Sequence, residues 1–208
     1  STDDVLIGSV NTNYLNLRYC TDKNISPITK LNKGEKLKII GSLDDWYIVQ
    51  TEKNYIGIVS SNFIDISNET NTSADTQDIT DLSVDENRIL TLINKEREKN
   101  NLSHLLIDDE LQNIARLKAN DLVQNNYFSH ISPIYGSPFE MLKNCSIKYK
   151  VASENIAGNN NIEAAVNSWL NSESHKKNIL NNDYNYTGIG VANSVTYGKI
   201  IVEIFIGR

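Results

Sequence analysis

The chain has 208 residues, enough for one large domain or two small ones. Apolar residues make up 39% and charged residues 22%, the balance of a globular protein, and no run of about 18 apolar residues is present to span a membrane. The net charge of −6 is concentrated in residues 67–83, which hold four acids and no base. Residues 1–66 (7 basic, 8 acidic) and 84–208 (13 and 14) are nearly balanced, which excludes the basic face of a nucleic-acid binder and a basic membrane-surface helix.

The chain opens on Ser1-Thr2-Asp3-Asp4, with neither Met nor a basic segment, so a mature or trimmed form that has lost an export signal is expected. Short apolar runs predict strands over Tyr14–Arg18, Lys36–Gly41, Trp46–Thr51 and Tyr55–Val59, with turns at Asn32-Lys33-Gly34 and Leu43-Asp44-Asp45. Several short strands in so little chain imply a small barrel or sandwich. Residues 67–83, rich in Ser, Thr, Asn and Asp, bury too little to offset their ordering entropy and read as a flexible linker.

Beyond the linker, Ser83 and Glu86 form a capping box ahead of a helix carrying Ile89, Leu92 and Ile93. A second helix starts near Asp108, with Leu111, Ile114, Ala115, Leu117 and Leu122 on its apolar side. A third begins at Ser137-Pro138, with Ser137 as cap, Pro138 at the first helical position and Glu140 completing a second box. Ile162, Ala165, Val166 and Trp169 mark a fourth, with Trp169 in the core. Thr187–Ala192 and Lys199–Ile206 read as a terminal β-hairpin. Helices first and strands last predict an α+β or α/β/α layered domain. Cys20 and Cys145 lie one in each half; their separation excludes a Cys-based zinc site and leaves either one bridge between the halves or two partly buried thiols.

The series Tyr14-Leu15-Asn16-Leu17-Arg18, Leu31–Leu37 with its Lys33-Gly34-Glu35, Trp46-Tyr47 and Gly57-Ile58-Val59 resembles a bacterial SH3-like (SH3b) domain. It departs from that family at Tyr19-Cys20-Thr21, where a small residue, Gly and Pro usually follow. The resemblance implies a module that binds peptidoglycan or another cell-wall polymer, with Trp46 and Tyr47 at the groove; packing within the barrel is the alternative role for Trp46.

Five motifs in the second half resemble the CAP superfamily (SCP-like; cysteine-rich secretory, antigen 5 and pathogenesis-related proteins) in its bacterial form. They are Phe128-Ser129-His130-x-Ser132-Pro133, Gly136-Ser137-Pro138-Phe139, Ser153-Glu154-Asn155-Ile156-Ala157, Trp169-x-x-Ser172-x-x-His175-x-x-Asn178-Ile179-Leu180 and Gly188-Ile189-Gly190-Val191. The expected organisation is therefore multidomain: an SH3-like all-β barrel in 1–66, a linker in 67–83 and an α/β/α sandwich with an open cleft in 84–208.

That family carries two His and two Glu around its cleft. His130, Glu154 and His175 match directly. Where animal relatives have the second Glu this chain has Ser172, followed by Glu173. One residue of offset turns a helical side chain by about 100°, which makes Glu173 the weaker candidate and leaves Ser172 to bond a histidine or the backbone. Neutral imidazoles with a carboxylate suit a divalent ion such as Zn²⁺. Each residue also has a plainer reading: His130 as a solvated loop residue, Glu154 as a turn holder, His175 as a helix cap. Tyr127 and Phe128 either line the cleft or pack, and His104, in a loop, matches no motif.

Three functions follow. In the first, an exported protein of the cell wall or spore envelope binds the wall through its SH3-like module and holds a metal and a ligand in the CAP cleft. In the second, His130, Glu154 and His175 are catalytic residues of a metal-dependent hydrolase acting on wall peptide or glycan. In the third, the protein is a structural or interaction component of the envelope. The chain has no H-E-x-x-H motif and no G-x-S-x-G elbow, so no established hydrolase signature supports the second.

Overall fold

A computed structural model describes residues 6–43, 45–53, 55–67 and 82–208. It divides into two compact units, Ser1–Asp81 and Leu82–Arg208. Of the expected linker, residues 68–81 lie outside the described residues, as does Asp44 of the expected turn before Trp46.

The first unit contains β1 (Leu6–Val10), β2 (Tyr14–Leu17), β3 (Thr29–Asn32), β4 (Lys36–Leu43), β5 (Trp46–Thr51), β6 (Ile56–Ser60) and β7 (Ile64–Ser67). Five strands form an antiparallel sheet in the order β6-β5-β4-β1-β7, and β2 and β3 form a ribbon. The ribbon joins the sheet where Arg18 and Ile58 exchange backbone hydrogen bonds of 2.9 Å. Gly57 permits this approach, since a Cβ there would stand 2.7 Å from the Arg18 carbonyl oxygen. Gly34 has φ +83°, the left-handed conformation that the Asn32–Glu35 turn requires. Leu15, Leu17, Leu31, Leu37, Val49 and Val59 form the core with Val10 and Ile64. The strands expected here are present, Trp46–Thr51 with its expected ends and the other three with shifted ends. β1, β3 and β7 were not expected: Thr29–Asn32 has a single apolar residue, Leu31, and Ile64–Ser67 is too short for alternation to register. Among the described residues the sheet is open, with β6 and β7 at its edges and the ribbon against one of them, so the expected closed barrel is not formed.

The second unit contains α1 (Val84–Lys99), β8 (Leu106–Ile107), α2 (Asp109–Gln124), α3 (Pro138–Asn144), β9 (Val151–Gly158), α4 (Ile162–Asn171), α5 (Glu173–Ile179), β10 (Tyr186–Ser194) and β11 (Gly198–Gly207). Both expected capping boxes form, at Ser83/Glu86 and Ser137/Glu140, and the Asp108 side chain caps α2. The sheet order is β8-β10-β11-β9, with β8 parallel to β10 and the other pairs antiparallel. β11 is central and buried on both faces, which explains its apolar run, broken only by Glu203. Ile201 and Phe205 on one face join Ile89 and Ile93 of α1 and Val166 and Trp169 of α4. α2 covers the opposite face of the sheet. The unit is thus an α/β/α sandwich, as expected. Cys20 and Cys145 are buried thiols, each within its own unit.

Candidate functional site

The site is built around β9, an edge strand that the sequence reading left unassigned because Val151–Gly158 mixes polar and apolar residues. Consecutive strand residues point to opposite faces, and β9 uses both at Glu154 and Asn155. Glu154 is buried, with 1% of its side chain exposed, and its Oε1 lies 2.7 Å from His130 Nδ1. A carboxylate only accepts, so Nδ1 carries the proton and Nε2 has no partner among the described residues. Asn155, fully buried, donates from Nδ2 to the His175 carbonyl at 3.2 Å and accepts from Asn178 Nδ2 at 2.8 Å. One strand therefore anchors both the loop of His130 and the helix of His175.

The helix carrying Trp169 ends at Asn171, and Ser172 starts α5 instead of continuing the turn. Trp169 is core as expected, and its Nε1 donates to the Ile156 carbonyl at 3.1 Å, tying α4 to β9. Ser172 Oγ lies 2.8 Å from His175 Nδ1, so the expected serine–histidine contact forms. His175 sits within α5 and does not cap α4. Glu173 is exposed at the first position of α5 and makes no ion pair or side-chain hydrogen bond among the described residues. The far end of α5 is held by Arg97, which donates to the carbonyls of Ile179 at 2.7 Å and Asn181 at 2.9 Å.

The two imidazoles differ electrostatically. The bond to Glu154 holds the His130 pKa above the ordinary value; burial, together with the charge of His130, lowers that of His175. The influence of His130 on His175 places both in one electrostatic neighbourhood. Among the described residues no group of three or more His, Cys, Asp or Glu side chains is assembled to hold a metal ion. What the geometry offers is a pair of imidazoles, each fixed through Nδ1, with Glu154 behind His130. Glu154 Oε2 is buried without a hydrogen-bond partner among the described residues.

Several residues of the site were not read from the sequence. Lys118 and Asp121 on α2 are fully buried. Lys118 Nζ donates to the His130 carbonyl at 3.1 Å and to Tyr127 Oη at 2.9 Å. Asp121 accepts from the Tyr127 hydroxyl, and from Ser132 Oγ at 2.7 Å. A signal was available: Lys118 interrupts the apolar stripe Leu111, Ala115, Leu122 at helical spacing. Tyr127 is bound into this network, whereas Phe128 is exposed and stands 5.2 Å, centroid to centroid, from Tyr197. His104 is an exposed loop residue, as expected.

The family model described as CAP, cysteine-rich secretory protein family, matches residues 90–205. The chain is 45% identical over 128 residues to the uncharacterised protein YkwD of Bacillus subtilis, covering 61% of this chain and 49% of that protein. It is 43% identical over 107 residues to the uncharacterised membrane protein YlbC of the same organism, covering 51% of this chain and 31% of that protein. The chain thus spans about half the length of the first of these relatives and about a third of the second. Among solved structures, an outer surface protein of Borrelia burgdorferi superposes with a TM-score of 0.57 at 29% identity, over 62% of this chain and 96% of that one. An extracellular Bacillus anthracis protein containing an SCP domain shares the fold, with a TM-score of 0.55 at 24% identity, over 83% of this chain and 60% of that one.

Proposed function

The chain belongs to the cysteine-rich secretory protein (CAP) family, and from that premise we propose that it is an exported envelope protein whose CAP unit binds a ligand, together with a divalent metal ion, at His130 and His175. The observation that carries this reading is the 2.7 Å pairing of His130 Nδ1 with the buried Glu154 carboxylate. Metal-ligating histidines use such a pairing: the carboxylate fixes tautomer and ring orientation and raises the basicity of the remaining nitrogen. Ser172 has the corresponding place behind His175. Glu154 therefore supports the site from behind, holding the His130 ring through Nδ1. Neutral imidazole nitrogens suit Zn²⁺, with remaining positions filled by water or ligand. A bound ion would supply Lewis acidity toward a coordinated ligand oxygen.

The similar outer-surface and extracellular structures support a location outside the cell; within it, the wall or spore envelope is the place this reading assigns. No helix among the described residues is long and apolar enough to cross a membrane. In this reading the N-terminal unit is an SH3-like module that engages peptidoglycan or another wall polymer through Trp46 and Tyr47. The same His130–Glu154 pair favours a second reading, a metal-dependent hydrolase of wall peptide or glycan, because a carboxylate-oriented imidazole is also the geometry of a general base.

Calorimetric titration of Zn²⁺ into metal-free protein tests the site. Saturable binding that disappears in both His130→Ala and His175→Ala supports it. Absence of binding, or binding indifferent to both substitutions, refutes the metal reading.

A further inference from the structure

Lys118 is fully buried in the middle of the apolar stripe of α2. Burying an ammonium is costly unless its donors are used, and Lys118 directs two of them at the segment that carries His130. One reaches Tyr127 Oη and the other the main-chain carbonyl of His130 itself. Asp121, three residues further along α2, accepts from the same Tyr127 hydroxyl and from Ser132 Oγ. Ser132 Oγ in turn accepts from the amides of Ile134 at 3.1 Å and Tyr135 at 2.9 Å. The segment 127–132 is thus gripped at its start, at His130 and at its end by two charged residues of a single helix.

We infer that Lys118 and Asp121 are positioning residues that clamp the main chain of His130 from α2 while Glu154 holds its ring from β9, so that the imidazole is set before a ligand arrives. The inference rests on the ligand-binding reading of His130. A loop that needed only covering would be held by apolar side chains. Here the charge of Lys118 ends on the backbone of the histidine itself, that of Asp121 on Tyr127 and Ser132 to either side of it, and the phenol of Tyr127 links the two. Ligands bind more tightly to a group already fixed in its bound geometry, because less freedom is lost on binding.

The test uses the full chain, whose three histidines give three ring signals in ¹H–¹³C correlation spectra, assignable with His→Ala variants. Lys118→Met and Asp121→Asn are expected to move the His130 ring signal, leave that of His104 in place and weaken Zn²⁺ binding about tenfold or more, the usual effect of removing a supporting contact. Tyr127→Phe removes only the linking hydroxyl and changes no charge, so a His130 shift in that variant reports geometry; it also serves where the charge variants do not fold. Circular dichroism identifies the folded variants. A His130 signal that stays in place in folded Tyr127→Phe and Lys118→Met, with Zn²⁺ affinity within about twofold of wild type, overturns the inference. If the wild type binds no Zn²⁺ the ligand reading fails, and the His130 signal still decides the clamp.

Discussion

A methyl group at Gly190 would stand 2.2 Å from the carbonyl oxygen of Ala115, because α2 lies directly on the backbone of β10. Gly188 meets Leu111 in the same way one helical turn earlier, at 2.2 Å from its carbonyl carbon. Gln112 completes the seam by accepting from the Ile189 amide at 2.8 Å and donating to the Ile189 carbonyl. The obstacle at Gly190 is backbone, which no rotamer change relieves. Gly190→Ala is therefore expected to destabilise the CAP unit by about 3 kcal/mol, the upper end of overpacking penalties. Urea unfolding followed by circular dichroism measures it, and an unchanged midpoint would contradict such close packing.

That seam also marks the limit of what the sequence discloses. Local chemistry was legible: Ser83 with Glu86, and Ser137 with Pro138 and Glu140, announce helix starts within four residues of chain, and both boxes form. The hairpin of β10 and β11 was legible from its apolar runs. His130, Glu154 and His175 were named from motifs, but not their arrangement, because the Glu154 contact crosses 24 residues and depends on which face of β9 each residue takes. Ser172 was read as bonding either a histidine or the backbone, and it bonds His175. Lys118 and Asp121 were passed over because a charged residue on an amphipathic helix ordinarily faces water. Only the packing of α2 on the sheet reveals that they do not.

Glu203 supplies a pH dependence unrelated to the site. It is fully buried on β11; its Oε1 accepts from Thr187 Oγ1 at 3.2 Å and its Oε2 has no hydrogen-bond partner among the described residues. Burial raises its pKa from an ordinary value near 4.5 to about 8, against the opposing effects of Thr187 and Arg97. Between those values the folded chain holds a proton that the unfolded chain has released. The resulting stabilisation is fully present below about 4.5 and is lost as pH rises through about 8. The contribution of this one group falls by at most about 1.4 kcal/mol per pH unit. Glu203→Gln, which cannot ionise, is expected to flatten the pH dependence of the unfolding free energy across that window. Parallel profiles for variant and wild type would exclude a protonated Glu203.

Glu86 and Arg116 form a buried pair, with Arg116 Nε to Oε1 at 2.8 Å and Nη2 to Oε2 at 2.6 Å. The same carboxylate accepts from the Ser83 amide at 2.8 Å, so it joins the start of α1 to α2. Removing one member takes the carboxylate–guanidinium contact away from a buried charge, which costs about 3–5 kcal/mol. Glu86→Leu is expected to destabilise by that amount. Combination with Arg116→Met is expected to recover part of the loss, because the buried charge that Glu86 contacted is removed with it. A double-mutant cycle from urea unfolding checks this; strictly additive losses would mean that the two side chains do not depend on each other.

The wall-binding reading makes a demand on Trp46. It is half-buried on β5 and stands apart from the cluster of Leu17, Leu37, Val49 and Val59, against which Tyr47 packs. Its cross-strand neighbours are Leu43 and Ser60, so truncating it removes no part of that cluster. A half-exposed indole offers a large apolar face at small entropic cost, and such residues dominate binding energies where they meet a ligand. Trp46→Ala is therefore expected to lower the unfolding midpoint less than Tyr47→Ala does, while weakening co-sedimentation with purified peptidoglycan about tenfold or more, equivalent to loss of roughly 1.4 kcal/mol or more of binding free energy. Tyr47→Ala, which also removes packing from the core, is expected to reduce both. Undiminished sedimentation of a folded Trp46→Ala variant would remove the indole from the wall contact and return it to a structural role on β5.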